Sequence, residues 1–107
     1  MRVVFHPEFS PEIRRFEAQY SQLSGGLALR FRNEVLQAIK AIMSSPTNAG
    51  HFLTTVAARS DLRRRNLRSF PFFVLYAFTG EELYFGSVIP SRSDPLTWLS
   101  RFPGAPQ

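Results

Sequence analysis

A chain of 107 residues with a 44% apolar fraction and a formal charge of +5 has room for a single hydrophobic core. An aromatic content of 14% excludes a disordered chain, and the absence of cysteine excludes disulfides and cysteine-based metal sites. No apolar run reaches the roughly 18 residues of a membrane helix, and the N-terminus does not resemble a signal peptide. We therefore expect one cytoplasmic domain over residues 1–100, with no membrane partner and with a frayed tail at 101–107.

The first half of the chain predicts a strand followed by two helices. Residues 2–6 form a β-branched and aromatic run that ends before Pro7. Apolar residues then recur at helical spacing from Phe9 to Leu23, and again from Leu27 to Ile42. The first helix begins either at Pro7 or after a cap at Ser10. Because only a short Ser-Gly-Gly break separates the two helices, we expect an antiparallel helical hairpin.

Three strands are predicted after a loop at residues 44–60, in which Phe52 and Leu53 turn back to the core. The strands lie at 62–68, 71–78 and 83–89 and form a meander. Both faces of the middle strand are apolar, so this strand should be central and covered on at least one side, with Phe72, Val74, Tyr76 and Phe78 on one face and Phe73, Leu75 and Ala77 on the other. The hydroxyl of Tyr76 should be paired at the sheet margin. The order β-α-α-β-β-β predicts an α+β fold, a helical hairpin packed on a small, mainly antiparallel sheet.

Most of the excess charge falls on the first strand of this meander. Residues 59–68 hold five arginines against one aspartate, a local charge of +4. Alternation places Arg63 and Arg65 on one side of the strand, and Arg64 and Arg68 on the other. Since an unpaired guanidinium is costly to bury, at least one side should meet solvent, an acidic partner or a polyanion. The alternative is a solvated edge strand whose charge keeps it soluble.

No familiar catalytic or metal site is predicted. The chain lacks a glycine-rich phosphate loop and a Ser-His-Asp arrangement, and His6 and His51 are interpreted as structural or solvated. We expect neither a metal nor a cofactor. Arg68 and Arg92 are the main candidates for chemistry, because Arg68 ends the first meander strand and Arg92 follows the last one at a polar turn, so that either could meet phosphate. Pairing of Arg92 with Asp94 is the alternative.

Four segments carry a family resemblance. They are Val4-Phe5-His6-Pro7-Glu8, the second helix from Leu27 to Ile42, the run Leu67-Arg68-Ser69-Phe70-Pro71-Phe72 with Val74 and Tyr76, and Arg92-Ser93-Asp94-Pro95 followed by Trp98. In order and spacing they resemble the ParE branch of the RelE/ParE superfamily, the toxins of bacterial toxin–antitoxin (plasmid stabilisation) modules. The resemblance implies a growth-inhibiting toxin that acts on DNA gyrase without catalysis and is neutralised by an antitoxin encoded beside it.

The superfamily offers a second activity. RelE-like members are ribosome-dependent mRNA endonucleases, and Arg68 and Arg92 match their basic pair by position. Trp98 falls at a C-terminal tyrosine position, however, and an indole cannot act as a general acid or base. Pro90 and Ser93 also stand where many relatives carry His and a second Arg. We therefore favour the interpretation as a non-enzymatic ParE-like toxin. The alternatives are a ribonuclease, a degenerate non-toxic member of the family and a general nucleic-acid-binding module.

The sequence does not decide the oligomeric state, and a homodimer is one of the alternatives. The candidate partner-binding residues are Arg63, Arg64, Arg65, Arg68, Arg92 and Trp98.

Overall fold

The computed structural model describes residues 1–52 and 61–102 of the chain. No helix in that part of the chain is long and apolar enough to cross a membrane. The elements in chain order are β1 (Arg2–Phe5), α1 (Phe9–Ser21), α2 (Gly25–Ser44), β2 (His51–Phe52), β3 (Leu62–Asn66), β4 (Phe72–Phe78), β5 (Glu82–Pro90) and a 3-10 helix (Pro95–Arg101).

The strands form one mixed sheet in the order β1-β5-β4-β3-β2. The pair β1 and β5 is parallel, whereas every other neighbouring pair is antiparallel. The predicted α+β fold, with a helical hairpin on this sheet, is confirmed. One strand was not predicted: β2 lies within the expected loop at 44–60, where His51 is opposite Arg64. A two-residue strand is too short to give a period in the sequence. The side chain of Phe52 and the whole of Leu53 lie outside the described part of the chain, so their expected packing against the core stays a prediction.

The two helices begin in different ways. Helix α1 starts between its two predicted positions, because Pro7 and Glu8 form the turn before it and Ser10 already lies inside it. Helix α2 has a capping side chain, since Ser24 accepts a hydrogen bond from the backbone N–H of Leu27 at 3.2 Å. The Ser-Gly-Gly segment that ends α1 in the sequence therefore also starts α2.

The sheet is covered on both sides, and β4 is the central strand, as predicted. On one side the helices pack their buried residues Phe9, Phe31, Val35, Ala38 and Ile42 against Phe72, Val74 and Tyr76. The opposite face of the sheet carries a second apolar cluster of Leu62, Phe73, Leu75, Ala77 and Ile89, which Phe102 covers. We call the face under the helices the helix side of the sheet, and the opposite face, which carries the cluster with Phe102, the open side.

The C-terminal segment differs from the prediction at its first residues. Arg101 forms an ion pair with Glu12, and Phe102 is buried on the open side. Phe102 lies so close to Gly86 that a Cβ at position 86 would overlap its ring. The packed fold therefore extends at least to Phe102 instead of ending at residue 100. Residues 103–107 of the predicted tail lie outside the described part of the chain.

Candidate binding surface at the arginine strand

The three arginines of β3 alternate between the two sides of the sheet, as the sequence predicts, but the strand ends at Asn66, so Arg68 lies outside it. Arg63 lies opposite Tyr76 and Arg65 opposite Val74, and both of these partners belong to the cluster on the helix side. Arg64 lies opposite Leu75, which belongs to the cluster on the open side. Neighbouring arginines of one strand therefore meet different environments.

On the helix side, the arginines bind the segment that connects α2 to β2. Arg63, with only 8% of its surface exposed, donates from Nη1 to the backbone carbonyl of Thr47 at 3.0 Å. Arg65 donates from Nη1 to the carbonyl of Ala49. Backbone carbonyls outside helices and strands need donors from elsewhere when they are buried, and a guanidinium offers five N–H groups. Both side chains therefore hold this segment. Their role in partner binding stays a prediction.

Tyr76 binds the same segment. Its hydroxyl donates to the carbonyl of Pro46 at 2.8 Å, which confirms the predicted pairing at the sheet margin. Burial raises the pKa of Tyr76 above its ordinary value, and the charges of Arg63 and Arg65 oppose this increase. The phenol therefore stays a neutral donor at neutral pH. Close packing also explains Gly50, because a Cβ there would lie 2.6 Å from the Tyr76 hydroxyl.

Arg64 presents its guanidinium on the open side. The group lies over the ring of Phe73, 3.8 Å from the ring centroid, and donates from Nε and Nη2 to Oδ1 of Asn66 at 3.2 and 2.9 Å. Burial lowers the pKa of Arg64 from its very high ordinary value, but an arginine remains charged at neutral pH. The contacts with Phe73 and Asn66 fix the orientation of a half-buried cation. Such a group is suited to paired hydrogen bonds with a carboxylate or a phosphate.

Arg68 and Arg92 are exposed at the same end of the sheet. Arg68 lies in the bend between β3 and β4, and Arg92 lies in the turn after β5. The backbone N–H of Ser91 donates to the carbonyl of Pro71 at 2.9 Å and so joins the bend to the turn. Pairing of Arg92 with Asp94 stays a prediction. We use the name exposed arginines for Arg68 and Arg92 together with Arg64, whose side chain is half-buried.

A small cavity of about 170 Å³ lies beside Arg68, between α2 and the end of β3. Its polar lining includes Glu34 and Gln37 from the helix and Asn66 from the strand. Glu34 accepts a hydrogen bond from the backbone N–H of Ser69 at 2.8 Å, so it fixes the bend that carries Arg68.

Trp98 is half-buried in the 3-10 helix and packs against the cluster on the open side. Part of its indole is thus used within the fold. The six residues predicted to bind a partner therefore divide into two that hold a backbone segment, three exposed arginines, and one aromatic residue on the open side.

Sequence reasoning missed a buried polar cluster. Glu12, with 5% of its surface exposed, accepts hydrogen bonds at Oε1 from Ser87 Oγ and Arg101 Nη1, both at 2.8 Å. Arg101 also donates to the carbonyl of Gly86 at 3.1 Å. The sequence carried one signal of this burial: Glu12 follows the core residue Phe9 by three positions, so it lies on the inward side of α1. Its partners lie 75 and 89 residues further along the chain, where no local pattern identifies them.

His6 has the structural role that the sequence suggested. Its Nδ1 accepts a hydrogen bond from the backbone N–H of Glu8 at 3.1 Å, in the turn before α1. Partial burial and then the charge of Arg101 lower the pKa of His6, while Glu12 and Glu8 act in the opposite direction. The side chain of His51 lies outside the described residues. Among the residues that the structure describes, no group of three or more His, Cys, Asp and Glu side chains could hold a metal ion.

Comparison with known proteins gives a match in structure. No family model and no curated protein matches the sequence. A solved chain from the chromosomal ParDE toxin–antitoxin system of P. aeruginosa is similar to this one, with a TM-score of 0.69 over 84% of this chain and 95% of that chain. The two chains share a fold. At 14% sequence identity the likeness extends to the architecture alone.

Proposed function

We propose that this chain is the toxin of a type II toxin–antitoxin module, of the ParE type, acting in the bacterial cytoplasm. The observation that carries the proposal is the fold shared with a ParDE chain at a TM-score of 0.69. The ParE-like segments of the sequence support it, because they include both turns that carry Arg68 and Arg92.

The exposed arginines are the part of the surface that we assign to the antitoxin. Arg68 and Arg92 lie at one end of the sheet, and Arg64 is held flat on its open side. Guanidinium–carboxylate contacts are charge-assisted, and paired contacts also select a geometry. A small acidic antitoxin segment that crosses this end of the sheet would meet all three cations.

Inhibition of DNA gyrase, without catalysis, is the activity that the surroundings of these arginines favour. Cleavage of mRNA needs a group that transfers protons near neutral pH, and a guanidinium is not one. Of the described residues that line the cavity beside Arg68, Glu34 is the one carboxylate, and it is bound to the Ser69 N–H. Trp98, at the tyrosine position of the ribonucleases, has no ionisable proton to contribute.

Controlled expression in a bacterium tests the proposal. We expect growth arrest with induction of the SOS response, and relief when the protein encoded by the adjacent gene is co-expressed. Purified chain should inhibit supercoiling by gyrase. A harmless chain would contradict the toxin assignment. New cuts at the ribosomal A site in primer extension, with gyrase unaffected, would instead support the ribonuclease.

A further inference from the structure

The cavity beside Arg68 has the dimensions of a small organic molecule. Its volume of about 170 Å³ is close to the roughly 150 Å³ of an engineered protein cavity that holds one benzene ring. A ligand of about six non-hydrogen atoms therefore fits. Ala38 of α2 and Leu67, which follows β3, are the buried apolar residues of the lining, and the other lining residues are polar or charged.

Several polar groups that the fold itself does not use meet at this cavity. The side chain of Arg68 forms no hydrogen bond or ion pair within the described part of the chain, and neither does the side-chain amide of Gln37. Asn66 accepts from Arg64 at Oδ1, which leaves its two amide N–H groups as donors. A few convergent polar groups in a concave site are what orients a ligand in a binding pocket.

The charged residues of the lining favour a ligand with one negative charge. Arg65 and Arg68 stand against Glu34, so the lining carries a net charge of +1. Glu34 already accepts from the Ser69 N–H, but its charge still offsets one cation and would repel the second charge of a dianion. Arg65 gives Nη1 to the carbonyl of Ala49, whereas Arg68 keeps its whole guanidinium for a ligand.

The chemistry of the lining narrows the choice further. A carboxylate suits Arg68, because its two oxygens accept paired N–H bonds from one guanidinium. The amide oxygen of Gln37 accepts from a hydroxyl of the same ligand. An ammonium in place of the hydroxyl would make the ligand neutral and leave the charge of the lining uncompensated.

We propose that the cavity between α2 and the end of β3 binds a small α-hydroxy carboxylate, with the carboxylate on Arg68 and the hydroxyl on Gln37. Lactate has the required size and serves as the probe. This site goes beyond the proposed function, because binding to the isolated chain involves no gyrase, no antitoxin and no growing cell.

Three ligands of nearly equal size test the chemical class. Lactate, propionate and alanine are titrated at pH 7 into the full-length chain, purified in denaturant and refolded, and NMR follows the side-chain amide signals of Gln37 and Asn66. Lactate should shift both signals with a Kd on the order of 1 mM, which is within the affinity that a ligand of this size can reach. Propionate lacks the hydroxyl and alanine replaces it with an ammonium, so each should bind about 5-fold more weakly or worse.

Two pairs of variants test the position of the site, with the Asn66 signal as the readout. Arg68→Gln should weaken lactate binding about 10-fold or more, whereas Arg92→Gln, the same charge change in the turn after β5, should change it by less than about 2-fold. Gln37→Leu should weaken it about 5-fold, and Gln19→Leu on the exposed side of α1 is its matched control. All four positions are exposed, so unchanged melting temperatures should show that the variants fold.

Several results would overturn the proposal. They are the absence of any shift at on the order of 50 mM lactate, equal binding by Arg68→Gln and the original chain, propionate that binds as tightly as lactate, and inorganic phosphate that binds more tightly than lactate. The toxin assignment is decided separately. A harmless chain that binds lactate would contradict the proposed function alone, and a toxic chain that does not bind lactate would contradict this site alone.

Discussion

Arg65 is a charged side chain whose contacts lie inside the fold. Because its guanidinium donates to the carbonyl of Ala49, Arg65→Ala should leave that carbonyl without its donor. We expect a loss of about 1.5–3 kcal/mol in the free energy of unfolding, the range for a hydrogen bond from a charged group. Arg68→Ala is the control, since Arg68 is exposed and should change stability by less than about 0.5 kcal/mol. Equal urea midpoints for the two variants would mean that water replaces Arg65 at no cost.

The hydroxyl of Tyr76 predicts how the stability of the fold depends on pH. Burial raises the pKa of Tyr76 in the folded chain above that of the unfolded chain, so the folded state holds this proton more tightly. The associated stability is fully present below about pH 10, the ordinary pKa of tyrosine, and is lost as the pH rises through the folded pKa. Melting temperatures measured from pH 7 to 11 should therefore fall more steeply above pH 10 for the original chain than for Tyr76→Phe. Parallel curves would show that Tyr76 does not titrate in this range.

Helix α2 has one face in the core and one face in solvent. Phe31 is fully buried among the aromatic rings of the helix side, with its ring centroid 5.1 Å from that of Phe72. Phe31→Ala should lower the free energy of unfolding by about 3–5 kcal/mol. Leu29→Ala, two residues earlier on the exposed face of α2, should lower it by less than about 0.5 kcal/mol. Chemical denaturation of both variants measures the difference, and similar losses would contradict the packing of the hairpin on the sheet.

The elements that could be predicted are those long enough to show a period. The apolar spacing from Leu27 to Ile42 gave α2, and the two apolar faces of β4 gave its central position. Strand β2 has two residues and the last helix is a single 3-10 segment, so neither produces a pattern. The sides of the β3 arginines also followed from alternation. Their partners did not, because the carbonyls that Arg63 and Arg65 bind belong to a connecting segment of mixed composition.

At the scale of the whole molecule, one buried ion pair fastens the C-terminal segment to the first helix. Glu12→Gln keeps the shape of the side chain and an oxygen that can accept from Ser87, but it removes the negative charge that pairs with Arg101. Removing one partner of a buried pair is strongly destabilising, and we expect a loss of about 3 kcal/mol, since the Arg101 side chain keeps 19% exposure. The matched control is Glu82→Gln, which removes an exposed pair with Arg2 and should cost less than about 1 kcal/mol. Equal urea midpoints for the two variants would contradict a structural role for Glu12.

The candidate site also depends on parts of the chain that are distant in sequence. Arg68 was identified as the end of a predicted strand and Arg92 from the polar turn after the last strand, and both are exposed. Their placement at one end of the sheet requires the pairing of β4 with β5, which joins the two turns through Ser91 and Pro71.

The parallel pairing of β1 with β5 sets a condition on how the chain is made. Arg2 lies beside Glu82, eighty residues later, so β1 leaves the ribosome well before the strand that pairs with it. At about 5–20 residues per second, that interval is roughly 4–16 s. A chain that is interrupted before Glu82 lacks β5, the strand that lies between β1 and β4 in the sheet. Incomplete synthesis therefore yields fragments with unpaired strand edges, which are targets for proteolysis and aggregation, rather than a shortened folded domain.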